Sequence, residues 1–292
     1  MRGREEKEKV KTKRNPLIYV KTLCFLLLSL VILFPVLYSF TNSFMGQEEI
    51  TEAYSGILGV GADVGFHMFP EHFTLEAYGN VMLDTPEYWL KFWKSLGMAG
   101  VIAMGQLLIG GMCGMAFAKY HFPGWKIFFF LFVIFLLLPV QVTLFPNFLV
   151  LSWLKLTGTW WALILPGIFS PFGVFLMTLI FQNVPTEILE AARLDGAGTL
   201  RIFANMMLPV AKPGAISLLI LVFVDNWNMV EQPMVLLQYP WQYPLSVFLA
   251  SVNTENFALQ FVCGILSLVP VTLLFLFFHE ELAEGISVSV SR

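Results

Sequence analysis

The sequence predicts an all-α polytopic membrane protein with six transmembrane helices, an extracytoplasmic segment after the first of them and a cytoplasmic loop of short helices. Three observations carry this prediction. Of the 292 residues 57% are apolar, above the roughly 45–50% of soluble proteins. Charged residues make up 13%, about half the usual ~25% and too few to coat a globule of this size. Six apolar runs reach the ~20 residues needed to cross a hydrocarbon core about 30 Å thick at about 1.5 Å per residue.

In chain order, residues 1–15 form a basic N-terminus and the first run is 16–40. A cleaved signal peptide is the competing reading of that run, but its apolar stretch exceeds an h-region and no small-x-small site follows. The segment 41–92 comes next, then a five-helix core over 93–282 with runs near 93–118, 126–150, 160–182, 212–238 and 260–280, and a tail 283–292. Lys and Arg set the orientation, because their excess marks the cytoplasmic side. Arg2, Arg4, Lys7, Lys9, Lys11, Lys13, Arg14, Lys21, Lys119, Lys126, Arg193, Arg201, Lys212 and Arg292 all fall on one side of a six-span path. Only Lys91, Lys94 and Lys155 fall on the other, so both termini are expected in the cytoplasm.

The segment 41–92 has no Lys or Arg before Lys91 and carries eight acids, Glu48, Glu49, Glu52, Asp63, Glu71, Glu76, Asp84 and Glu87. Its glycines and aromatics, Gly56, Gly59, Gly61, Gly65, Phe66, Phe73 and Tyr78, predict a small ordered cap. The near-balanced formal charge of −3 gives no reason to expect a nucleic-acid partner. Cys24, Cys113 and Cys263 lie in apolar runs without CxxC spacing, which reads as buried inert thiols. His67, His72, His121 and His279 show no ligand spacing, so no metal site is expected.

The inner loop 183–211 reads NVPTEILEAARLDGAGTLRIFANMMLPVA. Pro185 suits a first helical turn, Glu187 and Glu190 suit the positive end of the helix dipole, and Gly196 or Gly198 can end the helix in the left-handed conformation. A short helix is therefore expected near 185–195, and Thr199 is a plausible N-cap for a second that stops before Pro209. Three- and four-residue spacing puts Ile188, Ala191, Ala192 and Asp195 on one face, with small alanines that allow close approach. Helices too short to span, on the cytoplasmic side, need a protein partner or the membrane surface.

The stretch EAARLDGAGTLRIFANMMLP resembles the cytoplasmic EAA loop of bacterial ABC importer permeases, whose pattern is EAA, three residues, Gly, nine residues, Ile-x-Leu-Pro. Glu190, Ala191, Ala192, Gly196, Leu208 and Pro209 stand at the matching positions, and Met206 replaces the usual Ile. SPFGVFLMTLIFQNVPTEI before it, HFTLEAYGNV (72–81), AFAKYHFPGWK (116–126), LPVQVTLFPNFLVLSWLKL (138–156), and Trp227 and Asn228 followed by Pro233 are similar to the carbohydrate-uptake branch, of which the smaller maltose-type subunit is an example. The branch often ends in a Gly-rich Val-Lys-Gly tail, whereas here Gly285 is followed by ISVSVSR. The resemblance implies a bacterial cytoplasmic-membrane import system. Its parts would be a second homologous permease subunit, two cytoplasmic ABC ATPases, an extracytoplasmic solute-binding protein and a carbohydrate substrate. It also implies that Glu190, Ala191, Ala192, Asp195, Gly196, Leu208 and Pro209 couple this chain to the ATPase. No GxxxxGKS, GxxxxGKT or LSGGQ-like string occurs, so the chain cannot cradle nucleotide phosphates itself. ATP and Mg are expected on the partner ATPase, and this chain is expected to be a non-catalytic subunit with no cofactor of its own.

Charge inside a span is costly and points to a pathway. Asp225 lies twelve residues from Pro213, roughly 18 Å at 1.5 Å per residue and near mid-bilayer. VDNWNMVEQP offers the Asp225 carboxylate, the Asn226 and Asn228 amides and the Trp227 indole within about two turns. That chemistry suits sugar hydroxyls and a pyranose face, although interhelical glue is an equal reading. Gln141, Thr143 and Asn147 carry the same ambiguity. Pro139, Pro146, Pro166 and Pro171 predict kinks. Gly110 and Gly114 form a GxxxG that would pack on a neighbouring span or, less simply, on the partner permease. The leading function is a permease subunit of an ATP-driven, binding-protein-dependent carbohydrate importer working by alternating access. The alternative is a secondary transporter using Asp225 or Glu231 for proton coupling, which predicts inverted repeats and discontinuous helices. A membrane enzyme is a third reading, but beyond those two acids the spans hold no catalytic constellation.

Overall fold

The computed structural model describes residues 16–54, 68–251 and 257–290, with side chains from residue 19 to 285 within those stretches. The basic N-terminus 1–15, His67, the glycines and Phe66 of 55–67, and Arg292 therefore lie outside the described residues. Among the described residues the chain is helical without strands.

The first helix, α1 (Pro16–Asn42), stands largely apart, with Val31 71% exposed in its middle. It touches the last helix of the chain, and at its outer end the Tyr38 and Tyr54 hydroxyls meet at 2.6 Å while Tyr54 donates to Asn42 Oδ1 at 2.9 Å. Burial, with the hydrogen bond to Tyr38 adding to it, raises the Tyr54 phenol above its ordinary pKa. Cys24, expected to be buried, is exposed on α1, because this helix presents nearly all its sides outward. α2 (Gln47–Tyr54), α3 (Glu76–Gly79) and a wide turn over Asn80–Asp84 bury Met45, Ile50, Ala53, Ala77 and Val81 over the ends of the spans.

α4 (Pro86–Lys119) is the central mast. Its 34 residues rise about 51 Å, so it projects well beyond a membrane about 30 Å thick. The third apolar run is not one straight span. α5 (Trp125–Leu137) and α6 (Val140–Trp153) meet at 108°. Leu138 takes the extended conformation that a following proline favours (ψ 130°), and Pro139 has no N–H to continue the helical ladder. α7 (Trp161–Ile168) and α8 (Pro171–Gln182) form the next span, joined at Ser170, which is extended before Pro171 and caps α8 by accepting from Phe172 N–H at 3.4 Å.

α4 and α8 pack backbone to backbone. A Cβ on Gly110 would stand 2.9 Å from the Gly173 carbonyl carbon, and one on Gly114 would stand 2.8 Å from Met177 Cβ and 2.9 Å from Thr178 N. The GxxxG thus serves a neighbouring span of the same chain.

The loop that follows holds α9 (Thr186–Leu194), α10 (Thr199–Ile202), a wide π-turn over Phe203–Met207 and α11 (Leu208–Val210). Two expectations shift here. Pro185 precedes the first turn as its cap, and Gly198, not Thr199, caps α10. The second helix also does not stop before Pro209, because the π-turn widens the backbone ahead of that ring.

The fifth run is broken as well. α12 (Lys212–Trp227) turns 88° away from the helix before it and covers only about 24 Å. It stops where Asn226 and Asn228 turn their amides back onto the Val222 and Val224 carbonyls at 2.8 and 2.9 Å. α13 (Glu231–Leu236) resumes after the gap. Pro233 cannot donate to the Met229 carbonyl, which accepts the Ser246 hydroxyl instead. A 3-10 turn (Pro240–Gln242), α14 (Leu245–Ser251) and α15 (Phe257–Val290), kinked at Phe278, complete the chain.

One charge expected on the outer surface is internal. Lys91 is 4% exposed, donates to the Pro240 carbonyl at 2.8 Å, pairs with Glu87 at 3.4 Å and lies over the Phe248 ring. It staples α4 to the segment after α13. Replacing it by Met is expected to strand the Pro240 carbonyl and cost about 1.5–3 kcal/mol, which a melting curve of the detergent-solubilised protein would register. An unchanged midpoint would show that Lys91 is not a staple.

Candidate functional site: a polar cavity and a cytoplasmic docking helix

The two broken spans and the α7–α8 junction leave a cavity of about 720 Å³ between them. α6 contributes Thr143 and Asn147, α12 contributes Asp225 and Asn226, α13 contributes Gln232, and α4 contributes Gln106. Ser170 at the α7–α8 junction adds a hydroxyl and the rest of the wall is apolar, a composition that holds a solute by a few placed polar groups. Asp225 opens toward this space and makes no hydrogen bond or ion pair among the described residues. Gln106, 2% exposed, donates its amide to the Gly167 carbonyl at 2.7 Å, and its Oε1 is buried without a partner. Sequence reading passed over Gln106, whose only signal was a lone amide inside the run 93–118.

The other residues expected on the path lie elsewhere. Trp227 is 4% exposed, with its indole stacked on Phe223 at 5.7 Å and met edge-on by Phe92 at 5.5 Å. Its faces are taken up by packing, so the expectation that it stacks on a sugar does not fit its position. Asn228 is exposed and bonded to its own helix, outside the cavity wall. Gln141 donates to both carboxylate oxygens of Glu231 at 3.0 and 2.9 Å, tying α6 to α13 just beyond the cavity.

At the other end of the fold α9 rests on the foot of α4. Leu189 and Ala192 are buried beneath it, the Arg193 guanidinium lies 5.0 Å from the Tyr120 ring centroid, and Lys119 Nζ donates to the Val184 carbonyl. The helix ends at Gly196, whose φ of +77° is the left-handed stop expected there. The four residues assigned to one face divide: Ala192 faces inward and Ile188 is half-buried, whereas Ala191 and Asp195 face out with Glu187 and Glu190. Leu194, 90% exposed, and Leu200, 70% exposed, join this outer surface and were not singled out from sequence. Phe203 and Met207 bury under the spans, Leu208 is half-buried and Pro209 is exposed. Of the histidines, His121 stands edge-on to Trp125 and His279 bonds to the Leu276 carbonyl.

A multi-pass helical bundle with a cavity lined by a few polar groups and short helices docked across its foot is a membrane transport subunit. Residues 106–288 match the family described as binding-protein-dependent transport system inner membrane component, and the chain belongs to that family. It is 29% identical over 283 residues to the arabinooligosaccharides transport system permease protein AraQ of Halalkalibacterium halodurans, covering 96% of this chain and 98% of that one. It is 28% identical over 228 residues to the sn-glycerol-3-phosphate transport system permease protein UgpE of Salmonella typhi, covering 78% and 79% respectively. Among solved structures, a bacterial ABC transporter involved in the import of the acidic polysaccharide alginate shares the fold. The TM-score is 0.76 at 22% identity, over 90% of this chain and 95% of that chain.

Proposed function

We propose that the chain is one of two membrane-spanning halves of an ATP-driven carbohydrate importer, with α9 as its contact to a cytoplasmic ATPase and the 720 Å³ cavity as part of the cargo path. The observation that carries this reading is α9 itself: an anchored short helix whose EAA stretch turns Glu190, Ala191, Leu194 and Asp195 away from the spans. An apolar side chain as exposed as Leu194 beside two acids is a surface for a partner. ATP and Mg sit on that partner, and an extracytoplasmic binding protein delivers the cargo. The broken third and fifth spans are also what a secondary transporter would contain. Energy coupling separates the two readings. Proteoliposomes holding the full complex should take up members of a panel of labelled neutral oligosaccharides only while the ATPase is active. Uptake that survives ATPase inactivation would return the proton-coupled alternative through Asp225 or Glu231.

Orientation follows the charge asymmetry, which supports a cytoplasmic position for both termini and for α9. Reporters fused after Arg292 or inserted near Gly198 are expected to read cytoplasmic, and one near Gly61 external. An external signal at Gly198 would remove the six-span topology and the coupling role with it.

Asp225→Asn is expected to lower uptake about tenfold, as loss of a hydrogen bond to a charged group of about 1.5–3 kcal/mol predicts, and Asn226→Ala, which removes a neutral amide, to lower it less, while the partner subunits still co-purify. Loss of the subunits in both variants would make these residues packing elements.

A further inference from the structure

The names of the relatives include both neutral and acidic cargo, so similarity leaves the charge of this chain's cargo open. The cavity wall speaks to it directly. Its lining contains one ionisable side chain, Asp225, and no Lys, Arg or His; the lysines of the elements that close it, Lys91, Lys94, Lys119, Lys126 and Lys212, all stand outside the lining. No cation neutralises Asp225, since no ion pair or hydrogen bond reaches it among the described residues. Just beyond the wall, Glu231 on α13 is negative too, and its partner is the neutral Gln141 amide. An anionic sugar would meet the Asp225 carboxylate with no cation on the wall to offset it, in a space where like charges repel more than in bulk water. A neutral polyol brings hydroxyl donors to that carboxylate.

We propose that the wall supplied by this chain selects by charge, admitting neutral polyhydroxyl cargo and repelling uronates and sugar phosphates, with Asp225 as the specificity-determining residue. The proposal rests on the reading of this cavity as the cargo path. Among the lining residues only Asp225 sets the sign of the field.

The test needs no knowledge of the cargo. In the complete importer, with Cys24, Cys113 and Cys263 replaced by Ala, a reporter thiol is introduced as Asn147→Cys, or as Thr143→Cys where the first variant fails to assemble. Its labelling rates by a positively and a negatively charged methanethiosulfonate of equal size are compared with those of free cysteine. With Asp225 present, the cationic reagent is expected to be favoured at least tenfold beyond its advantage on free cysteine. Asp225→Asn should reduce that preference to within about threefold, and Asp225→Lys should reverse it. A preference that is absent, or indifferent to Asp225, overturns the proposal. The labelling outcome is independent of the uptake assay above, so failure of charge selection and failure of the carbohydrate-import reading are separately visible.

Discussion

ATP hydrolysis by the assembled importer is expected to stop responding to loaded binding protein when Leu194 is replaced by Asp or Glu190 by Lys. Both side chains stand on the outer face of α9. Full burial of a leucine contributes about 1.5–3 kcal/mol, and breaking a charged contact at an interface costs about 2–5 kcal/mol. Either loss weakens docking at least tenfold. Gly196→Val should act by another route. A Cβ there meets nothing within 4 Å, so the cost is conformational: a β-branched residue at φ +77° is disfavoured by about 1–2 kcal/mol, enough to fray the end of α9. Basal ATPase and stimulated ATPase, measured with and without loaded binding protein, separate coupling from assembly. Wild-type stimulation in all three variants would remove α9 as the lever.

Gly114→Leu is expected to be strongly damaging to the packing of α4 on α8. Its Cβ would fall 2.8 Å from Met177 Cβ and 2.9 Å from Thr178 N, and backbone cannot rotate aside as a flexible side chain would. Overpacking of this kind costs about 3 kcal/mol or more and should lower the melting point of the solubilised protein by at least about 5 °C. Gly264→Ala is the control, since a Cβ at that position meets nothing within 4 Å. Equal melting of the two variants would mean that α4 and α8 can separate without loss.

Much of this architecture was legible in the amino-acid order because lipid allows few alternatives. A backbone that cannot bond to solvent must close its hydrogen bonds within helices, so apolar length alone marks spans and Lys and Arg mark their sides. What hydropathy does not carry is the path of a span once proline interrupts it. Pro139 signalled a kink, but the 108° elbow depends on what α5 and α6 pack against. The gap after Trp227 likewise needs Ser246, remote in sequence, to satisfy the Met229 carbonyl. Lys91 looked like an exterior charge because nothing local announces the Pro240 carbonyl that buries it. On α9 the Gly196 stop was readable from local chemistry, whereas the inward turn of Ala192 depends on where α4 ends. Asp225 and Asn226 could be picked out by the rarity of charge at that depth, but Trp227 could not be told from a stacking platform until Phe92 and Phe223 were seen against it.

The isolation of α1 bears on how the protein is made. Its helical neighbour in the bundle is α15, which begins at Phe257, so the first span to enter the membrane must wait for the last before the two can touch. At about 5–20 residues per second that interval is on the order of ten to forty seconds, during which this chain can hold α1 at its outer end, through Tyr54, but not across the membrane by α15. A ribosome that stalls before α15 therefore leaves a chain whose opening helix is unclasped. Closure of the bundle around α1 is thus tied to the synthesis of one distant helix.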